Sequence, residues 1–178
     1  TICAPMDEHD LRNMMYTAQL RDTGAWVIRY PRGLSVHPDW KSPFEEIPIG
    51  KGRTLQEHSG TAILSLGHIG NNALQAAATL REQHHTEVSL YDMRFLKPLD
   101  TALLDHVAQF HNHIITLEDG VTKGGFGSAV LEHLNATGYQ GRTTLLGIPD
   151  QFVPHGSVPQ LQQDCHIDPD SIVQAVLK

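Results

Sequence analysis

The chain has 178 residues, 40% of them hydrophobic and 19% charged, with a formal net charge of -7. That is apolar material for one sizeable core and part of a second, and the acidic balance offers no basic face to nucleic-acid phosphates. No apolar run reaches the roughly 20 residues that span a bilayer, and the first residues carry no signal or transit pattern, so neither nucleic acid nor membrane is expected as a partner. Cys3 and Cys165 lie far apart without CxxC spacing, which suits free thiols in a reducing compartment and makes the cytoplasm the expected location. The chain opens on Thr1 and a helix signal follows almost at once, the pattern of a piece cut from something longer.

In chain order, Asp7 can cap a helix with Asp10 at its third position, and Leu11, Met15 and Ala18 recur at helical spacing until Gly24 offers a stop. A strand over 26–30 follows, with Trp26, Ile28 and Tyr30 on one face and Val27 and Arg29 on the other. Pro31 has no N–H to donate and ends it at a Pro31-Arg32-Gly33 corner. Residues 34–48, rich in proline and without a sustained period, read as a connection between domains, with a boundary near residue 45. Two strand-like runs, 49–58 and 61–67, flank Ser59-Gly60 and predict a hairpin.

Beyond it the pattern alternates. Helix 71–83, strand 87–93, a helix capped by Asp100 with Leu103, Val107 and Phe110 in phase, and strand 113–118 come in turn. A glycine turn over 124–127 opens a helix through Leu134, and 143–149 is a near-continuous apolar strand. Ser157 and Gln160 form a capping-box signature, and Asp168-Pro169 starts a last helix with Ile172, Val173 and Val176 inward. The fold class that follows is α/β, a three-layer sandwich with a mostly parallel sheet.

Several groupings invite a chemical reading. The run Lys123-Gly124-Gly125-Phe126-Gly127-Ser128 sits after a strand and before a helix, where backbone N–H groups can cradle phosphate. Val130 stands where a dinucleotide fingerprint has its third glycine, and the lysine precedes the glycines, so close packing of helix on strand is the preferred reading. Among the 12 histidines, His84 and His85 are adjacent, and His111 and His113 would share one strand face, yet neither pair has a third ligand at metal spacing. Ile63 occupies the glycine position of a nucleophile elbow, so Ser65 is read as an ordinary strand residue, and Cys3 and Cys165 lack a local base. Arg32 remains: at a strand end, its planar fork can grip two oxygens of a phosphate or carboxylate, or tie the corner to a neighbouring domain, and spacing alone does not separate these.

The blocks "APMDEHDLRNMMYTA", "RYPRG", "IGKG", "DMRFLKPLD", "EDGVTKGGFGSAVLEHL" and "GIPDQFVPHGS", in this order, resemble the 1-deoxy-D-xylulose-5-phosphate synthase family of the transketolase group. The resemblance implies a homodimeric parent enzyme that uses thiamine diphosphate and magnesium. It decarboxylates pyruvate and joins the two-carbon unit to glyceraldehyde 3-phosphate, feeding isoprenoid, thiamine and pyridoxal synthesis. It further implies that residues 1–44 are the end of a pyrimidine-binding domain plus linker, and that 45–178 are a transketolase-like C-terminal domain. The Gly-Asp-Gly…Asn signature that holds magnesium and diphosphate in that family is absent, as is its activating glutamate, so no catalytic, cofactor-binding or metal residue is assigned and the piece alone is expected to be inactive. By the same resemblance Arg32 binds the acceptor phosphate, with Tyr30 and Pro31 setting its position. The glycine turn and Glu118 have no assigned ligand, and packing or dimer contact is their expected role. The competing reading is a C-terminal assembly or regulatory domain of another transketolase-group or 2-oxoacid dehydrogenase enzyme.

Overall fold

The computed structural model describes residues 1–20, 22, 24–33 and 41–178. Strand β1 (Ile2–Cys3) leads into helix α1 (Glu8–Leu20), where Asp7 Oδ1 accepts the Asp10 N–H at 2.8 Å as the cap pattern requires. Strand β2 (Val27–Ile28) lies parallel to β1, and β3 (Arg53–Gln56) and β4 (Gly60–Leu66) follow. Next come α2 (Gly70–His84), β5 (Ser89–Asp92), β6 (Phe95–Lys97), α3 (Thr101–Phe110) and β7 (His111–Val121). The chain closes with α4 (Phe126–Ala136), β8 (Arg142–Ile148), α5 (Val158–Asp164) and α6 (Pro169–Leu177).

A five-stranded sheet in the order β3-β5-β4-β7-β8 forms the middle layer, parallel except for β3 at its edge. Strand alternation sorts its core onto two faces. Ile63, Leu90, Ile115 and Leu117 pack with Ala73, Ala76 and Leu80 of α2 and with Ile172 and Val173 of α6. Ala62, Leu64, Tyr91 and Ile114 pack instead with Leu104 and Val107 of α3 and with Phe126, Val130 and Leu134 of α4. The expected three-layer α/β sandwich is therefore present. Asp100 caps α3 by accepting the Leu103 N–H at 3.2 Å, and the Ser157–Gln160 capping box opens α5.

Three local expectations need correction. The two runs around Ser59-Gly60 are not a hairpin: β5 inserts between β3 and β4, because the four-strand parallel core leaves β3 only an outer edge to pair with. The strand expected over 26–30 is regular only at Val27–Ile28; Trp26 and Ile28 pack against a small cluster of Cys3, Met14, Ile47 and Phe95, whereas Tyr30 leaves that face and is 64% exposed. An irregularity in the β4–β7 ladder pairs Gly60 with His111 but Thr61 with His113, and the two rings point to opposite faces, His111 towards Tyr91 and His113 towards Thr144.

Of the 34–48 connection, 34–40 lie outside the described residues, and the remainder lies along α1. Asn13 Oδ1 accepts the Glu45 N–H, Thr17 Oγ1 accepts the Ile47 N–H, and Phe44 stacks on Tyr16 with the Arg12 guanidinium 3.9 Å from its centroid. A buried ionic network then joins α1 to the edge of the main sheet. Asp10 takes Arg53 Nη2 at 2.6 Å on one oxygen and Arg94 Nη2 at 2.9 Å on the other, and Asp92 Oδ2 lies 3.0 Å from Arg53 Nη2. Burial pushes the Asp92 carboxyl up to about 7, the Asp10 charge adds to the rise, and Arg53 and Arg94 oppose it.

A carboxyl raised in the folded state contributes stability that is full below its ordinary pKa and is lost as pH climbs through the raised one. Asp92→Asn is expected to remove this loss. Whatever its constant offset, the stability of the variant relative to wild type should improve by about 1–3 kcal/mol between about pH 5 and pH 8. Urea unfolding across that range checks it, and parallel pH profiles would exclude Asp92 as the titrating group.

Candidate functional site

Strand β4 has β5 on one side and β7 on the other, and its connection runs to α2 on one face while that of β7 runs to α4 on the opposite face. In open α/β sheets ligands bind beyond the carboxyl ends of the strands at such a switch point. Here that position holds a small crevice of about 80 Å³, walled by Gly67 and His68 after β4, Asp119 near the end of β7, Ala4, and the segment Arg29 to Pro31. Gly67 adopts φ +83°, and a Cβ there would lie 2.9 Å from that of Ala4, so the close approach of the N-terminal segment depends on glycine.

Arg29 reaches into this place. Its Nη2 donates to the Asp119 carbonyl at 2.6 Å, and its backbone N–H donates to the Cys3 carbonyl at 2.9 Å. The Asp119 carboxylate is held separately, 3.2 Å from His68 Nε2. Burial holds the His68 ring below its ordinary pKa; the Asp119 charge opposes the shift and the Arg29 charge adds to it.

Of the two substrate-binding residues expected from the sequence, Tyr30 borders the crevice and Arg32 follows in a bend, exposed. No acidic side chain among the described residues pairs with Arg32. The tie between the N-terminal segment and the sheet, considered for Arg32 on spacing, is made by Arg29. Only the alternation of strand faces, which set Arg29 apart from Trp26 and Ile28, hinted at this.

The glycine turn has a different occupant from the one its pattern suggests. Glu118, buried in the last part of β7, turns its carboxylate onto the first turn of α4: Oε2 accepts the Phe126 N–H at 2.9 Å and Oε1 the Gly127 N–H at 2.8 Å. The positive end of the helix dipole and two unpaired donors meet the chain's own anion. Glycine is required on both sides of the contact, since a Cβ at 125 would collide with the Val121 carbonyl and one at 127 would sit 2.7 Å from Thr116 Oγ1. The packing role read for this turn is therefore present, and Glu118 is the residue the sequence reading left without an assignment.

A diphosphate at α4 would need the two N–H groups that Glu118 already occupies, and the described residues hold no group of three or more His, Cys, Asp or Glu able to bind a metal ion. The first turn of α4 therefore does not fit the diphosphate of a thiamine diphosphate cofactor. Ser65 is a buried strand residue that donates to the Tyr91 carbonyl, and Cys3 and Cys165 are buried free thiols, Cys3 pushed up by burial to about 11. Glu118→Gln replaces one acceptor by a donor facing an N–H group and is expected to cost about 1.5–3 kcal/mol of stability. Urea denaturation at neutral pH measures it, and a loss below about 0.5 kcal/mol would deny the cap its importance.

Residues 50–172 match the model of the transketolase C-terminal domain. The whole chain is 50% identical to a 1-deoxy-D-xylulose-5-phosphate synthase of Bacteroides thetaiotaomicron, of which it covers 28%. A synthase of the same description from Cytophaga hutchinsonii is 50% identical over 98% of the chain, again covering 28% of that relative. Among solved structures, a split-gene transketolase, an inactive beta4 tetramer, is 29% identical with a TM-score of 0.84 and covers 99% of this chain and 56% of its own. The transketolase of Campylobacter jejuni, 16% identical with a TM-score of 0.63, shares the fold. No helix of the described residues is long and apolar enough to cross a membrane. Fold and sequence match agree over the same residues, and the chain belongs to the transketolase C-terminal domain family.

Proposed function

We propose that this chain is the C-terminal part of a 1-deoxy-D-xylulose-5-phosphate synthase, a transketolase-type transferase that condenses pyruvate with glyceraldehyde 3-phosphate and releases CO2. The observation that carries the reading is 50% identity to such a synthase along all 178 residues. In this reading residues 1–44 end a pyrimidine-binding domain and 45–178 form the C-terminal domain. Thiamine diphosphate with Mg2+ would supply the carbanion chemistry, and its seat belongs to parts of the longer protein outside this chain. A homodimer in the cytoplasm suits the family and the buried free thiols of Cys3 and Cys165.

The role of this chain is then to hold the acceptor. Arg32, exposed and without an acidic partner among the described residues, grips the phosphate of glyceraldehyde 3-phosphate, and Tyr30 with Pro31 sets the approach. Binding energy taken from a phosphate remote from the reacting carbonyl orients the aldehyde for attack. A second reading, a C-terminal assembly module, draws on the neighbour described as an inactive beta4 tetramer. Size-exclusion chromatography of the 178-residue chain tests it, and a monomer at micromolar concentration would count against it.

In the full-length protein, Arg32→Ala is expected to lower kcat/KM for glyceraldehyde 3-phosphate by about tenfold to a hundredfold, the equivalent of a charge-assisted contact of about 1.5–3 kcal/mol. Efficiency with unphosphorylated glyceraldehyde should change little. Equal losses with both acceptors would make Arg32 a structural corner.

A further inference from the structure

We infer that Arg29 is a positioning residue for the acceptor site, which holds Arg32 in place by tying its own guanidinium to the Asp119 carbonyl at the wall of the switch-point crevice. The inference rests on the phosphate-binding reading of Arg32 and adds to it a residue and a domain.

Arg29 is exposed but held at both ends by hydrogen bonds. Its backbone N–H is fixed on Cys3, inside the small sheet, and its side chain on the Asp119 carbonyl, near the end of the inner strand β7 of the large one. Those two anchors belong to different sheets, so Arg29 holds one against the other. The space it uses is shaped for it: a Cβ at Gly120 would come within 3.4 Å of Arg29 Nη2 and 2.8 Å of Glu118 Oε2. Asp119 is itself steadied on both sides, by the contact of its carboxylate with His68 and by Glu118 locked onto α4.

From Arg29 the anchor is transmitted forward along the backbone. Pro31 fixes its own φ and restricts Tyr30 before it, so the main chain between residues 29 and 32 has few free torsions. A loop bearing an exposed arginine loses its fixed direction when such an anchor is removed, and misplacement of about an ångström can cost up to about a hundredfold in rate. The crevice where related α/β sheets take a ligand thus has an arginine of the same chain in its wall, and the C-terminal domain contributes to acceptor recognition without touching the acceptor.

The test uses the full-length protein with Arg29→Met, Arg32→Ala and the double variant, assayed with glyceraldehyde 3-phosphate and with glyceraldehyde. Arg29→Met is expected to lower kcat/KM for the phosphorylated acceptor about tenfold, with glyceraldehyde and the KM for pyruvate within about twofold of wild type. Because Arg29 acts through Arg32, the double variant should be no worse than Arg32→Ala alone. Losses that multiply in the double variant, equal losses on both acceptors, or no loss would overturn the positioning role. If Arg32→Ala fails to discriminate the acceptors, the phosphate reading itself has failed and the positioning role falls with it. Should Arg29→Met not fold, Arg29→Lys, which keeps the charge but not the planar fork, takes its place with the same criteria at about threefold.

Discussion

A single buried carboxylate sets the geometry of the sheet's working end. Glu118 leaves the inner strand β7 and turns back onto two N–H groups of α4, so the strand that neighbours both β4 and β8 is tied to the helix above it by charge-assisted bonds. Glycine at 125 and 127 allows the helix to come close enough, and glycine at 120 leaves room for the turn beyond. Where the main chain of Asp119 points follows from that fixation, and so does the position of whatever binds its carbonyl.

Two places in this fold ordinarily receive ligands: the switch-point crevice and the helix N-terminus behind a glycine turn. In this chain the second is occupied from within by Glu118, and Arg29 forms part of the wall of the first. The two side chains have opposite charge and lie on either side of Gly120, which a Cβ would bring into contact with both. Both contacts tie segments of the chain to the end of the sheet. Such ties hold neighbouring segments at a fixed angle, which suits the role proposed for the exposed Arg32, just past the Arg29 contact.

The layers were legible in the sequence because they rest on local rules: the strand-like run at β4, the Asp100 cap, the Ser157–Gln160 box and the Asp168-Pro169 start all appear where residue pattern places them. What escaped it was non-local. Nothing in 49–67 reveals that β5 will come between β3 and β4, since strand order is settled by which apolar faces the helices cover. The displaced ring of His111 depends on one irregular pairing with Gly60, a shift invisible to a count of two. For the site, residue chemistry singled out Arg32 and resemblance gave it a role, but Glu118 and Arg29 act on partners brought near only by the completed sheet. An acidic residue a few positions before Gly-Phe-Gly is the one local sign that could have pointed to the cap.

The buried group of Asp10, Arg53, Asp92 and Arg94 has a consequence for how this segment can be recombined. Its members come from α1, the edge strand β3, the end of β5 and the β5–β6 connection, so the two guanidinium groups meet their carboxyl partners only when all are present together. A chimera that joins a first helix lacking this aspartate to the C-terminal domain would leave Arg53 and Arg94 without the Asp10 carboxylate. Ribosomal synthesis meets the same requirement in time: α1 leaves the tunnel long before Arg94, and its carboxylate must stay in water until the sheet edge forms. The helix and the domain are therefore exchangeable as a unit and not as parts, and a boundary drawn through the proline-rich segment between them would separate charges that fold as one.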